Sequence, residues 1–75
     1  MPKTNVDKVQ TQYRNFNDWL RGERKHQKKR QKEVAEYLGI SQSQYSKRES
    51  GEVEWSFREF LKLLELFNTE VKEVI

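Results

Sequence analysis

The stretch QKEVAEYLGISQSQYSKRESG, residues 31–51, decides the fold of this 75-residue chain. Its first half carries the apolar residues of one short helical face, Val34, Ala35 and Leu38. Gly39 is typical of the left-handed position that ends a helix. Ser41 followed by Gln44 is a capping-box pattern, which predicts a second helix from residue 42 to a point before Gly51.

The second of these helices is unusually polar, because Tyr45 is its only large side chain with an apolar body. A short helix of this composition buries little of itself. The sequence LGIS between the two helices is a glycine-containing turn that fits a helix-turn-helix, in which the second helix is exposed on one side. The pattern therefore predicts a helix with one face free to meet a polar partner.

Apolar spacing predicts further helices on both sides of this motif, and no strands. Steps of three and four residues place one set on a single face of an N-terminal helix: Val6, Val9, Tyr13, Phe16 and Leu20. Thr4 and Asp7 can cap that helix, and Gly22 is expected to interrupt it. The N-terminal part of this stripe can pack on the protein's own core or dock into a partner's groove.

A second capping box, Ser56 with Glu59, predicts the most strongly amphipathic helix of the chain. Its apolar face is Phe57, Phe60, Leu61, Leu64 and Phe67, broadened by Leu63 and Leu66. Asn68 and Thr69 end it, and a last turn carries Val71, Val74 and Ile75. The predicted fold is all-α: a compact four- to five-helix bundle containing a helix-turn-helix. Residues 1–14 are predicted as a helical N-terminal extension and residues 15–75 as the helix-turn-helix domain.

Composition narrows the class of protein. Only 33 % of the residues are hydrophobic, and cysteine is absent, so disulfides and cysteine metal sites are excluded. Neither a membrane span nor a signal peptide can be found, and a cytoplasmic location is expected. The single histidine, His26, has no second ligand at metal spacing, and no catalytic set is present. We expect no enzymatic activity, no cofactor and no bound metal.

The net charge of +3 is unevenly distributed along the chain. Residues 1–48 carry 12 Lys and Arg against 5 Asp and Glu, whereas residues 49–75 carry 3 against 7. The densest basic run is RKHQKKRQK, residues 24–32, with six Lys and Arg in nine positions. Such a run is either solvated surface or a surface that contacts phosphate, and composition alone leaves both open.

The central stretch resembles, in order and without gaps, the helix-turn-helix of the phage Cro/repressor-type (XRE-type) DNA-binding family. The matching residues are Gln31, Val34, Ala35, Leu38, Gly39, Ile40, Ser41, Gln42, Ser43, Tyr45, Glu49 and Gly51. With a weaker match in the following helix, the resemblance extends to about residue 70. It implies a five-helix bundle that binds duplex DNA, usually as a homodimer on a palindromic operator, with the second helix of the motif in the major groove.

The resemblance also implies roles for individual residues. Base readout falls to Gln42, Ser43 and Lys47, whose side chains suit base edges. Phosphate contacts are expected from Gln31, Lys28, Lys29, Arg30, Lys32 and Ser46. Gln31 is also expected to brace Gln42, and Glu49 is expected to pair with an arginine of the first helix, for which Arg24 lies at the matching distance.

The sequence departs from the family pattern in three places. The loop after the second helix is commonly basic but here reads GEVEW, so that Glu52 and Glu54 would repel a nearby phosphate. Lys29, Arg30 and Arg48 replace apolar or capping residues, which predicts a thinner core. Residues 1–14 extend beyond the family's first helix.

Two functions remain open from the sequence. The leading hypothesis is a sequence-specific, double-stranded-DNA-binding transcriptional regulator, expected to be a repressor, with the helix at about 42–50 in the major groove. A chain of this size has no room for a ligand-sensing domain, so no small-molecule ligand is expected. The alternative is a helix-turn-helix used as a protein-interaction module, such as an antitoxin or an anti-repressor partner.

Overall fold

The computed structural model describes residues 5–74, with side chains from residue 8 onward. This part of the chain forms four α-helices and a short 3₁₀ turn: α1 (Asn5–His26), α2 (Gln31–Leu38), α3 (Gln42–Glu49), α4 (Phe57–Leu66) and the turn Val71–Glu73. The predicted all-α bundle is confirmed. None of these described helices combines the length and apolar character that a bilayer crossing requires. The predicted cap at Thr4 and Asp7, the side chain of Val6 and the whole of Ile75 lie outside the described residues.

Helix α1 is a single uninterrupted helix of 22 residues. The predicted break at Gly22 is wrong, because the helix continues through this exposed residue to His26. It ends where Lys28 adopts a left-handed conformation with φ 57°. The backbone N–H of Lys29 then donates to the carbonyl of Arg24 at 2.9 Å, a bond that closes the last turn. The predicted division between residues 14 and 15 falls inside α1 and stays a prediction.

The turn of the helix-turn-helix has the predicted local structure. Gly39 is left-handed, with φ 76°, and ends α2. The Ser41 hydroxyl accepts from the N–H of Gln44 at 3.1 Å, and the Gln44 side chain accepts from the N–H of Ser41 at 2.9 Å. The same reciprocal pair joins Ser56 and Glu59 at the start of α4. Both predicted capping boxes are confirmed.

One apolar core unites the four helices. Its buried members are Phe16, Leu20, Val34, Ala35, Leu38, Tyr45, Trp55, Leu63, Leu64 and Phe67. The Phe16 ring packs on Phe60 with centroids 4.9 Å apart, and Tyr45 meets Trp55 edge to face at 5.6 Å. Tyr45 is fully buried, so the only large apolar body on the polar helix α3 is the one that fixes it to the core.

Three residues of the predicted apolar faces remain at the surface. Phe57 is 74 % exposed, Leu61 is 44 % exposed and Val9 is 61 % exposed. On α4 the buried side is centred on Leu63 and Phe67, which turns Phe57 and Leu61 outward. The amphipathic pattern placed Val9 on the apolar stripe of α1 and Phe57 and Leu61 on that of α4, but the small bundle covers only part of each stripe.

Gly22 and Gly39 make a matched pair for testing backbone conformation, because an added Cβ would meet nothing within 4 Å at either site. We expect Gly22→Ala to raise the free energy of unfolding by about 1 kcal/mol, since Ala is the better residue inside a helix. Gly39→Ala should lower it by about 1 kcal/mol, because only this site has a positive φ. Urea denaturation measures the free energy of unfolding of both variants. A change of the same sign in the two would contradict the helical conformation of Gly22 or the left-handed conformation of Gly39.

Candidate nucleic-acid interface

Helix α3 has two sharply different faces. Tyr45 and Glu49, four residues apart, lie on its buried face. Beside this buried face lies a solvent-exposed one, which we name the exposed α3 face and which consists of Gln42, Ser43, Ser46 and Lys47. These four residues form two i, i+4 pairs and therefore lie next to one another across one turn and a half. The face begins directly after the Ser41 cap, at the N-terminal end of the helix.

The buried face of α3 is held by the carboxylate of Glu49, which is only 3 % exposed. Arg24 of α1 donates to both of its oxygens, from Nε to Oε2 at 2.9 Å and from Nη2 to Oε1 at 3.1 Å. Gln31 of α2 donates from Nε2 to Oε1 at 3.1 Å, and the Tyr45 hydroxyl donates to Oε2. One carboxylate thus joins α1, α2 and α3.

The ionisation of this cluster follows from its contacts. Burial would raise the pKa of the Glu49 carboxyl, but the hydrogen bonds from Arg24, Tyr45 and Gln31 outweigh burial and hold that pKa below its ordinary value. The hydrogen bond to Glu49 raises the pKa of Arg24. Burial, followed by the hydrogen bond to Glu49, raises the pKa of Tyr45 strongly. The cluster is therefore a charged pair with a neutral phenol donor.

The basic segment formed by the α1–α2 connection and the first turn of α2 is joined to the same cluster through its backbone. Arg24 donates from Nη1 to the backbone carbonyl of Lys29 at 3.0 Å, which fixes the connection beside α3. The predicted phosphate-contacting side chains Lys28, Arg30 and Lys32 are exposed, whereas Lys29 and Gln31 are partly buried. The connection therefore presents its cations on a backbone that is tied to the helix-turn-helix.

The family-implied pair of Glu49 and Arg24 is present in the structure. The Gln31 amide donates to Glu49 and is not hydrogen-bonded to Gln42, so the expected brace between the two glutamines is absent from this arrangement. A buried carboxylate within reach is a stronger acceptor than an exposed amide, which explains the preference. Contact of Gln31 with phosphate stays a prediction.

Several structural residues at this site were not predicted from the sequence. Arg21 adds a further cation, 3.8 Å from Oε1 of Glu49. Arg48 pairs with Glu59 at 3.2 Å and joins α3 to α4. Trp55 donates from its indole nitrogen to Asn17 at 2.9 Å, and its backbone N–H donates to the Tyr13 hydroxyl. No local pattern marks these long-range pairs. The one available signal is that Asn17 and Arg24 lie among the core-facing positions of α1, where a buried polar side chain needs a hydrogen-bond partner.

Comparison with known proteins agrees with this geometry. The family model described as helix-turn-helix matches residues 20–74. The chain belongs to the helix-turn-helix family. The match confirms the resemblance to the Cro/repressor type and identifies the protein as a DNA-binding helix-turn-helix regulator in general terms. No curated protein and no solved structure gives a significant match to the chain.

In this helix-turn-helix protein the loop between α3 and α4 is acidic. Glu52 and Glu54 are both exposed, and Gly51 takes a left-handed φ of 88° at the start of the loop. The N–H of Val53 donates to the carbonyl of Lys47 at 3.1 Å, which holds the loop against the C-terminal part of α3. Two carboxylates are therefore fixed near the end of the exposed α3 face. Within the described range, no group of three or more acidic or histidine side chains is arranged to hold a metal ion.

The Glu49 cluster makes the stability of the helix-turn-helix protein depend on pH. We expect Glu49→Gln to lower the free energy of unfolding at pH 7 by about 3 kcal/mol, since Arg24 is left buried without its countercharge. Because folding depresses the pKa of Glu49, its contribution is complete above the ordinary value of 4.5 and is lost as the pH falls through the lower folded-state value.

Urea denaturation of both proteins from pH 7 to pH 3 checks this expectation. The stability gap between wild type and Glu49→Gln should narrow below pH 4.5. Glu52→Gln removes the same charge from an exposed position and should show no comparable gap. A gap for Glu49→Gln that stays constant down to pH 3 would show that ionisation of Glu49 does not stabilise the fold.

Proposed function

We propose that this protein is a sequence-specific, double-stranded-DNA-binding transcriptional repressor in the cytoplasm. In this proposal α3 enters the major groove, and a homodimer occupies a palindromic operator and blocks transcription. Regulation follows from protein concentration and dimerisation, and needs neither a cofactor nor a small-molecule ligand. The protein carries out no enzymatic step.

The observation that carries the proposal is that the exposed α3 face is free. Within residues 5–74, the side chains of Gln42, Ser43, Ser46 and Lys47 make no hydrogen bond or ion pair. Their neighbours are occupied, because Gln44 caps the helix and Arg48 pairs with Glu59. Polar side chains without an internal role, gathered on one face of a helix that is fixed by a buried carboxylate, are available for an external polar partner.

The chemistry of this face suits base edges. The Gln42 amide can pair with N6 and N7 of adenine, and Lys47 can approach O6 and N7 of guanine. The Ser43 hydroxyl can donate or accept and so can serve several bases. A good bidentate pair discriminates against the wrong base by about 1–3 kcal/mol. Ser46, between the two longer side chains, is proposed to contact the phosphate backbone.

The cations of the α1–α2 connection and of the first turn of α2 support affinity without sequence information. Lys28, Arg30 and Lys32 are exposed and can displace counterions from the DNA backbone. Lys29 is proposed as a further phosphate contact, together with Gln31, whose amide nitrogen donates one of its two hydrogens to Glu49 and keeps the other. Glu52 and Glu54 oppose this attraction, so the acidic loop is proposed to face away from the phosphates or to weaken binding locally.

A second candidate function is a protein-interaction module, such as an antitoxin or an anti-repressor partner. The exposed side chains of Phe57 and Val9 favour it, because large apolar side chains at the surface suit a protein partner. The two functions differ in their response to salt. Binding to DNA should weaken steeply as salt increases, whereas an apolar protein interface should barely respond.

Selection from randomised duplex DNA tests base readout. We expect the wild-type protein to enrich a palindrome, and the Gln42→Ala/Lys47→Ala variant to enrich none, because it lacks the two longest side chains of the exposed α3 face. Tyr37→Ala, which truncates an exposed residue of α2, is the matched control and should select the wild-type sequence. If wild type enriches nothing at low salt, the operator-binding proposal fails.

Salt titration of the selected complex tests the phosphate contacts. Replacing Lys28 or Lys32 by Gln should reduce the slope of log affinity against log salt by about 0.9 each, since one counterion fewer is released. Lys72→Gln removes an exposed lysine from the C-terminal 3₁₀ turn and should leave the slope unchanged. If the Lys28 and Lys32 variants both keep the wild-type slope, the α1–α2 connection and the first turn of α2 do not contact the DNA backbone.

A further inference from the structure

The outer side of α4 is an apolar face without a partner in the described structure. Phe57 and Leu61 lie one helical turn apart on this side, and they are 74 % and 44 % exposed. The residues of α4 that are buried in the core are Leu63 and Leu64, with Phe67 directly after the helix. We name this surface, consisting of Phe57 and Leu61 with the flanking residues Arg58 and Glu65, the outer α4 face.

The apolar surface continues beyond the N-terminal end of α4. A groove of about 400 Å³ runs from Phe57 toward α1. Its lining is mainly aromatic and aliphatic, with Val9, Tyr13, Phe16, Trp55, Phe57 and Phe60. Phe57 stacks on Phe60, with ring centroids 6.4 Å apart, and so has a defined position at the edge of the groove. A single exposed apolar residue is ordinary on a protein surface, but a continuous apolar face beside a groove indicates a docking site.

The charges on the outer α4 face indicate what docks there. Arg58 and Glu65 are both exposed and are seven residues apart, which places them two turns apart on the same flank of the Phe57–Leu61 stripe. Within residues 5–74 neither side chain makes an ion pair or a hydrogen bond. They are too far apart along the helix to pair with each other, because neighbours on a helix surface are three or four residues apart.

We propose that the outer α4 face binds a second copy of this chain, with the two α4 helices antiparallel about a two-fold axis. A two-fold axis between residues 61 and 62 places Arg58 of each copy opposite Glu65 of the other, so that two ion pairs form on one flank. The Leu61 side chains then meet near the axis, and the Phe57 rings lie on either side. The end of each α4 points toward the groove of the other copy.

The size of the face sets the strength of this association. A helix of ten residues is about 15 Å long. A contact based on it buries much less than the ~800 Å² per partner of a standard interface. The free protein should therefore associate weakly, with a Kd in the high-micromolar range, and DNA with two half-sites should favour the pair by holding the two copies close together. This inference rests on the proposed operator binding for its biological use, but the association itself is measurable without DNA.

Complementary charge reversal tests the geometry by sedimentation without DNA. Arg58→Glu gives one copy two acidic flank residues, and Glu65→Arg gives the other two basic ones. Each variant alone should self-associate at least 10-fold more weakly than wild type, because like charges face each other across the axis. An equimolar mixture should recover wild-type association or exceed it, since both ion pairs form again in the mixed dimer.

A matched pair of variants controls for general charge effects. Arg14→Glu and Glu36→Lys change the net charge by the same amounts at exposed positions of α1 and α2. Mixing them should not increase association. All four variants should keep the wild-type circular dichroism spectrum, since the substituted side chains are exposed.

Each outcome decides the proposal. Recovery in the Arg58→Glu/Glu65→Arg mixture, without recovery in the control mixture, supports the antiparallel α4 pair. A monomeric wild type at millimolar concentration, or a wild-type dimer that neither reversal weakens, overturns it. Selection of an operator by a protein whose association ignores these reversals would leave the proposed function intact and sink only this inference. If the Arg58→Glu/Glu65→Arg mixture associates but wild type selects no DNA, the α4 pairing is supported and the proposed function fails.

Discussion

The buried carboxylate of Glu49 is the interaction on which the arrangement of the first three helices depends. Arg24, Gln31 and Tyr45 all donate to it, and Arg24 also holds the backbone of the following connection. A core of ten buried apolar residues is small, and α3 contributes only Tyr45 to it. Hydrogen bonds and the Arg24–Glu49 ion pair therefore do most to position α3. Such bonds fix the orientation of a helix more strictly than apolar contacts do.

This mode of attachment explains why α3 can be so polar. Tyr45 and Glu49 alone hold the inward side of α3, so the other positions of the helix do not have to pack against the core. Arg48 and Gln44 use their polar groups for the bridge to α4 and for the helix cap. The residues that remain, on the exposed α3 face, are constrained by no internal contact and can be chosen for an external partner alone.

Local signals in the sequence predicted most of the helix boundaries but only part of the packing. Gly39, the Ser41 cap and the Ser56 cap each act within four residues, so the sequence displays them directly. The pair of Glu49 with Arg24 came from the family resemblance. The acceptor of Gln31 and the exposure of Phe57 depend on contacts between distant segments, which periodicity does not encode. Gly22 lowers helix propensity by only about 1 kcal/mol, and α1 continues through it.

The unbroken course of α1 has a mechanical consequence. A straight helix of 22 residues is about 33 Å long, while the molecule measures 43 Å in its longest dimension. Arg24, near one end, donates to Glu49, whereas Val9 lies just over four turns away at the surface. The N-terminal half of α1 is also attached to the bundle, because the Tyr13 hydroxyl accepts from the N–H of Trp55 and the Phe16 ring packs on Phe60. A partner bound near Val9 would therefore be joined rigidly to α3 without covering the exposed α3 face.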